Sequence, residues 1–272
     1  MNVFDCDNKQ MSILVSSPSS YRDVFDISAD LFIKNWPKCP YAKIYATDNM
    51  ESKIYKGFEV ISFPDKNDWI SRTRSAIKHI DSKYVMVITD DAFLVRNVKN
   101  GDFMNLLQFM KEKGYMYCRI YHSSNIKSGR SKIQDRYYNI KYNNPYGRNL
   151  FASIWEKTFF EKFLSEAGND AWHIEEQWLK EAISKQNDII EKHIYFHNNY
   201  FYHSVYKGLW LRNARKIVLN QGVPFLSERK QISIRQNIIL SLKSFFGKFL
   251  NPTSRLKIKK FLSKFIHFDT KY

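Results

Sequence analysis

The segment Tyr84–Leu94 constrains the fold of this chain more than any other. An apolar run from Tyr84 to Ile88 is followed by two adjacent carboxylates, Asp90 and Asp91, and then by a second apolar stretch. A short run rich in β-branched and aromatic residues predicts a buried central strand of an α/β sheet. Ligands of open α/β sheets bind outside the carboxyl ends of the strands, where carboxylates can hold a divalent cation. A solvated Asp-Asp turn that closes the strand fits the same residues.

Strand and helix patterns alternate along the N-terminal half of the chain. Short apolar runs predict strands, and apolar residues at helical spacing predict helices. The predicted strands are 11–17, 43–47, 59–63, 84–88 and 115–121, and the predicted helices are 21–36, 68–80 and 102–113. This alternation predicts a mainly parallel, doubly wound sheet. The absence of GxGxxG and GxxxxGK[ST] motifs argues against a dinucleotide-binding fold and a P-loop nucleotidase.

The C-terminal half has longer connections. Residues 123–148 are polar, basic and rich in Tyr and Asn. A connection of that length predicts an active-site or acceptor-binding loop. Beyond it, the pattern predicts helices at 156–167 and 171–185, an extended segment at 193–205, and a helix that begins at Lys207 and ends near Gly222.

Positive charge is concentrated near the C-terminus. Of the formal net charge of +16, residues 229–272 supply +10, with eleven Lys or Arg and a single acidic residue, Asp269. Two amphipathic helical stripes separated by Pro252 lie in this segment. The chain is therefore expected to divide into a main domain, 1–228, and a basic amphipathic helical tail, 229–272. Such a tail suits an anionic membrane surface, and packing of its helices on the main domain is the alternative.

Cysteine usage and hydropathy bear on the compartment. The three cysteines are far apart and lack CxxC spacing, which argues against a disulfide framework and a zinc site. The N-terminus has no signal-peptide layout. No apolar run approaches the roughly 20 residues that span a bilayer. These features predict a cytoplasmic protein, either soluble or attached to a membrane surface.

Four motifs, whose order and spacing cover about residues 10–220, together resemble a known family. They are Trp36 with Cys39-Pro-Tyr41, the helix start Asp68-Trp-x-x-Arg72, the block Tyr84–Leu94, and the pair 149–160 with Ala171-Trp-x-x-Glu175, followed by Lys207-Gly-Leu-Trp210. The chain resembles the bacterial GT-A-type glycosyltransferases of capsule and O-antigen (lipopolysaccharide) biosynthesis. The resemblance implies a Rossmann-like, mostly parallel sheet flanked by helices. It also implies transfer of a sugar from a nucleotide-sugar, UDP-linked by default, to a lipid-linked or growing polysaccharide acceptor at the inner membrane.

The resemblance assigns roles to the adjacent carboxylates. Asp91, the last residue of the triplet Thr89-Asp90-Asp91, is implied as a ligand of Mn²⁺ or Mg²⁺ that holds the diphosphate. Asp90 is implied as a catalytic and donor-binding residue that could face a ribose hydroxyl or a backbone N–H. Successive residues of a strand point to opposite faces, so the two are expected to differ in role. The usual signature of the fold is Asp-x-Asp. Thr89 in its first position leaves the number of carboxylates on the metal open.

Further donor-binding residues follow from the matched motifs. Asp48 follows a short strand and could accept hydrogen bonds from the nucleoside, or could cap a turn. Arg72 could pair with the diphosphate, since guanidinium favours bidentate phosphate contact, or could be a solvated helix charge. Lys207-Gly208 could let backbone approach the phosphates, because glycine lacks a Cβ, or could form a simple turn.

The residues expected to bind the acceptor come from the motif around Trp172. Glu175 is the candidate general base for the acceptor hydroxyl, Trp172 a stacking wall for a sugar, and Glu176 a further substrate contact. A surface Glu beside a core Trp is the competing interpretation. One of the histidines could contact the metal or diphosphate, although ordinary hydrogen bonding suits them too; they are His193, His197 and His203.

Two other function classes remain open. The net charge of +16 and the many aromatic residues suggest a nucleic-acid-binding protein, but the charge is concentrated in a tail with an apolar stripe. A nucleotidyltransferase would also use Asp90 and Asp91, and would need a further carboxylate on a neighbouring strand.

Overall fold

A ten-stranded sheet dominates the computed structural model, which describes residues 9–121, 131–142, 147–166 and 189–247. Its strands, with those of two small two-stranded sheets, are β1 Met11–Ser16, β2 Ala42–Thr47, β3 Ile54–Tyr55, β4 Phe58–Ser62, β5 Tyr84–Ile88, β6 Ala92–Leu94, β7 Tyr117–Arg119, β8 Ser131–Gln134, β9 Tyr137–Lys141, β10 Ala152–Glu156, β11 Ile189–Phe196, β12 Phe201–His203, β13 Val205–Tyr206 and β14 Leu209–Trp210. The α-helices are α1 Arg22–Asn35, α2 Trp69–Ile77, α3 Asn100–Lys113, α4 Lys157–Glu166, α5 Ala214–Asn220 and α6 Ile234–Gly247.

The large sheet has a parallel half and a mixed half. Its strand order is β3-β4-β2-β1-β5-β10-β7-β11-β9-β8. Strands β4, β2, β1 and β5 are parallel neighbours, whereas β10 is inserted antiparallel between β5 and β7. Only β3, β9 and β10 run against the common direction. The predicted α/β fold with a mostly parallel sheet and flanking helices is confirmed, and its fully buried centre is β1 and β5.

The start of α2 and the end of α3 lie where the sequence predicts them. Asp68 is the N-cap of α2, and its carboxylate accepts a hydrogen bond of 2.7 Å from the backbone N–H of Ser71. This bond satisfies one of the free N–H groups of the first helical turn. Helix α3 ends at Gly114, which adopts the left-handed conformation with φ of 67°. Glycine adopts it without a Cβ penalty.

Two parts of the predicted connectivity are wrong. Lys207 does not begin a helix: Lys207 and Gly208, with φ of 50° and 74°, form the two-residue turn between β13 and β14. Turns with positive φ at both central positions match the right-handed twist of a hairpin. Helix α5 begins only at Ala214. Within the segment predicted as a long loop, β8 and β9 form a hairpin at the edge of the large sheet.

The first residues of the predicted tail belong to the main body. The backbone N–H of Trp210 donates to Lys230 O at 2.9 Å, and that of Ile232 donates to Trp210 O at 2.9 Å. Ile232 is buried, so a tail separate from the body starts after it rather than at 229. Helix α6 follows, and residues 248–272 lie outside the described ones. No helix within the described ranges is long and apolar enough to cross a membrane.

Met86 offers a test of the central strand. It is fully buried in the middle of β5, opposite Ile13 of β1 and Ile154 of β10. We expect Met86→Ala to lower the free energy of unfolding by about 2–5 kcal/mol, because a large-to-small change in a packed core leaves a cavity. Met104→Ala is the control, since Met104 is 43% exposed on α3. Urea denaturation measures both, and equal losses would contradict the assignment of β5 as the centre of the core.

Candidate functional site

The two adjacent carboxylates lie in a turn at the carboxyl end of β5. The backbone N–H of Ala92 donates to Thr89 O at 3.0 Å, which places Asp90 and Asp91 at the centre of the turn. The side chain and the N–H of Thr89 both bond to Phe151 O, so Thr89 takes no part in the site. The turn that the sequence allowed is therefore present, and the role of Asp90 and Asp91 in binding stays a prediction.

Asp90 turns toward the end of β1. Its carboxylate accepts a short hydrogen bond from the hydroxyl of Ser17, which directly follows β1. Burial, followed by the negative charge of Asp91, raises the pKa of Asp90 to about 7, against the lowering effect of the Ser17 bond. Burial and the nearby negative charge both disfavour the ionised form of Asp90. Asp90 therefore exchanges a proton near neutral pH, and a cation at this position would favour the carboxylate.

Asp91 turns to a different strand. Its Oδ2 lies 3.0 Å from Nε2 of His203, the last residue of β12. The backbone carbonyl of Asp91 also accepts hydrogen bonds from the N–H and hydroxyl of Ser204, at 3.0 and 2.9 Å. The two carboxylates thus have different partners, as the sequence predicts, although they lie in a turn rather than in a regular strand.

The chemistry of these donors fits a divalent cation in part. Asp90 and Asp91 supply carboxylate oxygens and His203 supplies an imidazole nitrogen, and Mn²⁺ accepts both kinds of ligand. Within the described residues, no group of three or more His, Cys, Asp or Glu is gathered closely enough to hold a metal ion. Asp91 and His203 are thus two adjacent donors, and any cation between them would need further ligands from a bound substrate.

Asp48 caps the loop that follows β1. Its Oδ1 accepts a hydrogen bond of 2.6 Å from the backbone N–H of Ser19, where a 3₁₀-helix (Ser19–Tyr21) begins, and one of 3.2 Å from the Thr47 hydroxyl. Burial tends to raise the pKa of Asp48, but the bonds from Ser19 and Thr47 outweigh it and lower the pKa. The capping alternative therefore describes what Asp48 does here, and its ionised carboxylate remains partly exposed beside the site.

Arg72 is a buried cation beneath the site. Its side chain donates to Ser16 Oγ at 3.2 Å and to the carbonyls of Lys66 and Asn67 at 3.1 and 3.3 Å. Burial lowers the pKa of Arg72, and Asp48 and then Asp90 are among the groups that oppose this effect. The solvated alternative for Arg72 is excluded. Its positive charge acts on the carboxylates at the strand ends.

Arg229 closes the other side of the site. It forms a bidentate ion pair with Asp23, at 2.8 and 3.2 Å, and donates to Gly208 O at 3.1 Å. Its guanidinium also stacks 4.2 Å from the ring centre of Tyr21. Burial raises the pKa of Tyr21; Arg229 lowers it, and Asp90 and Asp91 raise it further. The Lys207-Gly208 turn is thereby fixed next to the carboxylates.

A side chain at position 208 would disturb this arrangement. A Cβ at Gly208 would lie 3.3 Å from the Tyr21 hydroxyl and 3.7 Å from Nη1 of Arg229. Because φ is also positive there, glycine meets both the steric and the conformational requirement.

The acceptor-side residues predicted from sequence, Trp172, Glu175 and Glu176, lie outside the described residues. Their roles stay predictions. Among the histidines, His193 is buried and accepts a hydrogen bond of 2.9 Å from Arg148, and burial lowers its pKa to about 3. It is a neutral structural residue, whereas His203 is paired with the candidate carboxylate Asp91.

Sequence reasoning did not single out Ser17, Tyr21 and Arg229. Ser17 and Tyr21 had a usable signal, because the loop after the first strand of a parallel sheet faces the ligand crevice. Arg229 had none in its local sequence. Its position depends on contacts with Asp23 and Gly208, which lie far away in the chain.

Comparisons with known proteins find distant structural likenesses. No model of a protein family and no curated protein sequence matches the chain. The chain is similar to S. aureus TarS 1–349 in complex with UDP, with 10% identity over 78% of this chain and 64% of that one, at a TM-score of 0.46. It spans 36% of the longer TarS chain.

Two nucleotide-related enzymes are similar at the same level. One is CMP:2-keto-3-deoxy-manno-octonic acid synthetase complexed with CTP, with 10% identity over 78% of this chain and 97% of that one, at a TM-score of 0.42. The other is a cytidylyltransferase from Leptospira borgpetersenii, with 12% identity over 97% of this chain and 99% of that one, also at 0.42. These values are too low to assign a function.

The proton on Asp90 gives a pH-dependent prediction. Because its pKa of about 7 in the folded protein exceeds the value of about 4 in an unfolded chain, ionisation destabilises the fold. This loss of folding stability develops as the pH rises from about 4 to about 7. We expect Asp90→Asn to gain stability relative to the original protein across that window, by on the order of 2 kcal/mol after allowance for partial exposure.

Thermal unfolding in EDTA at several pH values measures this difference. Asp65→Asn is the control, because Asp65 is exposed, and its difference from the original protein should not change with pH. A constant difference for Asp90→Asn between pH 4 and 8 would disprove the raised pKa of Asp90.

Proposed function

We propose that this chain is a glycosyltransferase that binds a nucleotide-sugar at the carboxyl ends of β1, β2 and β5. It moves the sugar to a lipid-linked or growing surface-polysaccharide acceptor. The observation that carries the proposal is the pairing of Asp91 with His203 beside Asp90, above the buried cation Arg72. This arrangement lies at the edge of the sheet where open α/β folds bind their ligands. The order of the sequence motifs that resemble capsule and O-antigen glycosyltransferases supports the same activity.

Each described residue has a part in donor binding. Asp91 and His203 would hold Mn²⁺ or Mg²⁺, which when bound neutralises the charge of the departing nucleoside diphosphate. Asp90 would accept a hydrogen bond from a hydroxyl of the donor, since its carboxylate is held in place by Ser17. Asp48 and Arg72 fix the loop after β1 and the floor of the nucleotide pocket. The Lys207-Gly208 turn would bring backbone close to the phosphates, and Arg229 holds that turn by its bond to Gly208 O.

The acceptor half of the reaction is assigned to residues outside the described ones. Glu175 would take the proton from the attacking hydroxyl, with Trp172 stacking on a sugar and Glu176 binding the acceptor. An anionic inner-membrane surface would bring a lipid-linked acceptor to the site through α6 and the basic residues that follow it.

A nucleotidyltransferase is the second candidate, and Asp48 favours it. This reaction would use a further carboxylate close to Asp90 and Asp91, and Asp48 follows β2, which is separated from β5 by β1 alone. Products separate the two activities. A glycosyltransferase releases the free nucleotide from a nucleotide-sugar, a diphosphate from UDP- or GDP-linked donors and CMP from CMP-linked ones. A nucleotidyltransferase releases pyrophosphate from a nucleoside triphosphate.

Asp91→Asn tests the donor site. We expect UDP-, GDP- or CMP-linked sugars to raise the unfolding temperature of the original protein in the presence of Mn²⁺. The variant should bind the same compound at least about tenfold more weakly, because a carboxylate ligand of the cation is lost. Asp81→Asn, an exposed change before β5, is the control and should bind normally. Failure of every nucleotide to stabilise the original protein, with or without Mn²⁺, would contradict the proposed function.

The exposed apolar face of α6 tests the membrane association. Ile238 is 52% and Leu242 is 49% exposed, one helical turn apart. We expect Ile238→Ser with Leu242→Ser to reduce co-sedimentation with anionic liposomes at least about tenfold, since each buried aliphatic side chain contributes about 1.5–3 kcal/mol. Ile54→Ser with Leu226→Ser is the matched control, because these side chains are 70% and 79% exposed elsewhere. Equal sedimentation of both double variants would rule out α6 as the anchor.

A further inference from the structure

A cavity lined by several charged side chains lies apart from the carboxylate site. It has a volume of about 800 Å³ and is lined by three basic side chains, Arg96, Lys99 and Arg136, and by one carboxylate, Asp102. Arg96 follows β6, and Lys99 is the N-cap residue of α3. The cavity therefore carries excess positive charge, which favours an anionic ligand.

The single carboxylate of this cavity is already neutralised. Asp102 accepts hydrogen bonds from both terminal nitrogens of Arg136, one of them at 3.1 Å, and a short one from the Tyr200 hydroxyl. Burial tends to raise the pKa of Asp102, but the bonds from Arg136 and Tyr200 outweigh it and lower the pKa. The ion pair between Asp102 and Arg136 thus forms a fixed part of the cavity lining. The free charge of the cavity comes from the other two basic residues.

Arg96 and Lys99 are both exposed. In the described part of the chain, neither side chain has a hydrogen-bond or ion-pair partner. Lys99 also stands at the positive end of the fourteen-residue helix α3, whose first turn has no side-chain cap. The helix dipole adds to the attraction for an anion there.

The cavity is joined to the carboxylate site by one ribbon. Strands β6 and β12 pair antiparallel, with His203 opposite Ala92, next to Asp91. At the other end, the N–H of Val95 donates to Tyr200 O at 2.8 Å, and Tyr200 lines the cavity. At about 3.3 Å per residue, four residues place the two sites roughly 13 Å apart along the ribbon.

We propose that this cavity binds a phosphate ester group carried by the acceptor. Arg96 and Lys99 are two separate donors in the lining of the cavity, and a tetrahedral phosphate presents oxygens to both. A phosphate ester carries up to two negative charges and three free oxygens, so it can pair with Arg96 and Lys99 together, whereas a carboxylate has one charge and two oxygens. That the phosphate belongs to the acceptor rests on the proposed function. The binding of phosphate does not.

The test compares glycerol phosphate and glucuronate in calorimetric titrations of the full chain at low ionic strength in EDTA. We expect Arg96→Gln with Lys99→Gln to weaken glycerol phosphate binding at least about tenfold. Lys111→Gln with Lys113→Gln, at the opposite end of α3, is the matched control and should change binding less than about twofold. UDP binding with Mn²⁺ should be unchanged in both.

Three results would overturn the proposal: no binding of glycerol phosphate by the original protein at about 10 mM, equal affinity in both double variants, or glucuronate bound as tightly as glycerol phosphate. Asp91→Asn separates this proposal from the proposed function. It should retain glycerol phosphate binding, whether or not the original protein transfers a sugar from any donor.

Discussion

The parallel register of β1 and β5 determines the geometry of the candidate site. Val15 is paired with Ile88, so the residues two positions further on, Ser17 and Asp90, leave the sheet side by side. Both strands are buried along their whole length, and a shift by one residue would turn every core side chain to the other face. The hydrophobic core therefore fixes the hydrogen bond between Ser17 and Asp90. The remainder of the site is arranged around that contact.

Electrostatics at the strand ends explains why several carboxylates can lie together. Burial raises the pKa of Asp90 to about 7, and the negative charge of Asp91 adds to this effect. Arg72 opposes the repulsion between the carboxylates, since its buried guanidinium acts on Asp48 and Asp90. The charge of Arg72 is itself kept in place by three hydrogen bonds, which offset the cost of burying it. The site thus has a fixed, buried cation close to its carboxylates.

Local signals made the first half of the fold predictable. Asp68 and Gly114 end their helices for reasons contained in a few neighbouring residues, and the apolar run at β5 needed no context to be identified as central. Lys207-Gly208 was misinterpreted because the apolar spacing that follows it is also helical. The positive φ that the turn requires is not visible in a periodicity. The inserted antiparallel strand β10 had no such signal either, since strand direction depends on pairing.

The partners of the carboxylates were only partly accessible from sequence. Asp90 and Asp91 could be singled out from their position after a strand, and their divergence from the alternation of side chains. The pairing of His203 with Asp91 depends on the register of β6 and β12, and the bond of Arg229 to Gly208 O depends on a segment that the sequence assigned to the tail. Such long-range contacts follow from packing of the whole domain, which local pattern does not encode.

The β6–β12 ribbon links the two proposed binding sites mechanically. At one end of the ribbon, His203 and Ser204 hold Asp91. At the other end, Tyr200 bonds to Asp102 in the basic cavity. A ligand that occupies both sites must be extended, because they are separated by about 13 Å of strand. A single sugar is too short for that span, whereas a lipid-linked oligosaccharide or a polymer with phosphate groups along its length can reach. The spacing of the two sites therefore favours a long acceptor over a small one, independently of which nucleotide-sugar is the donor.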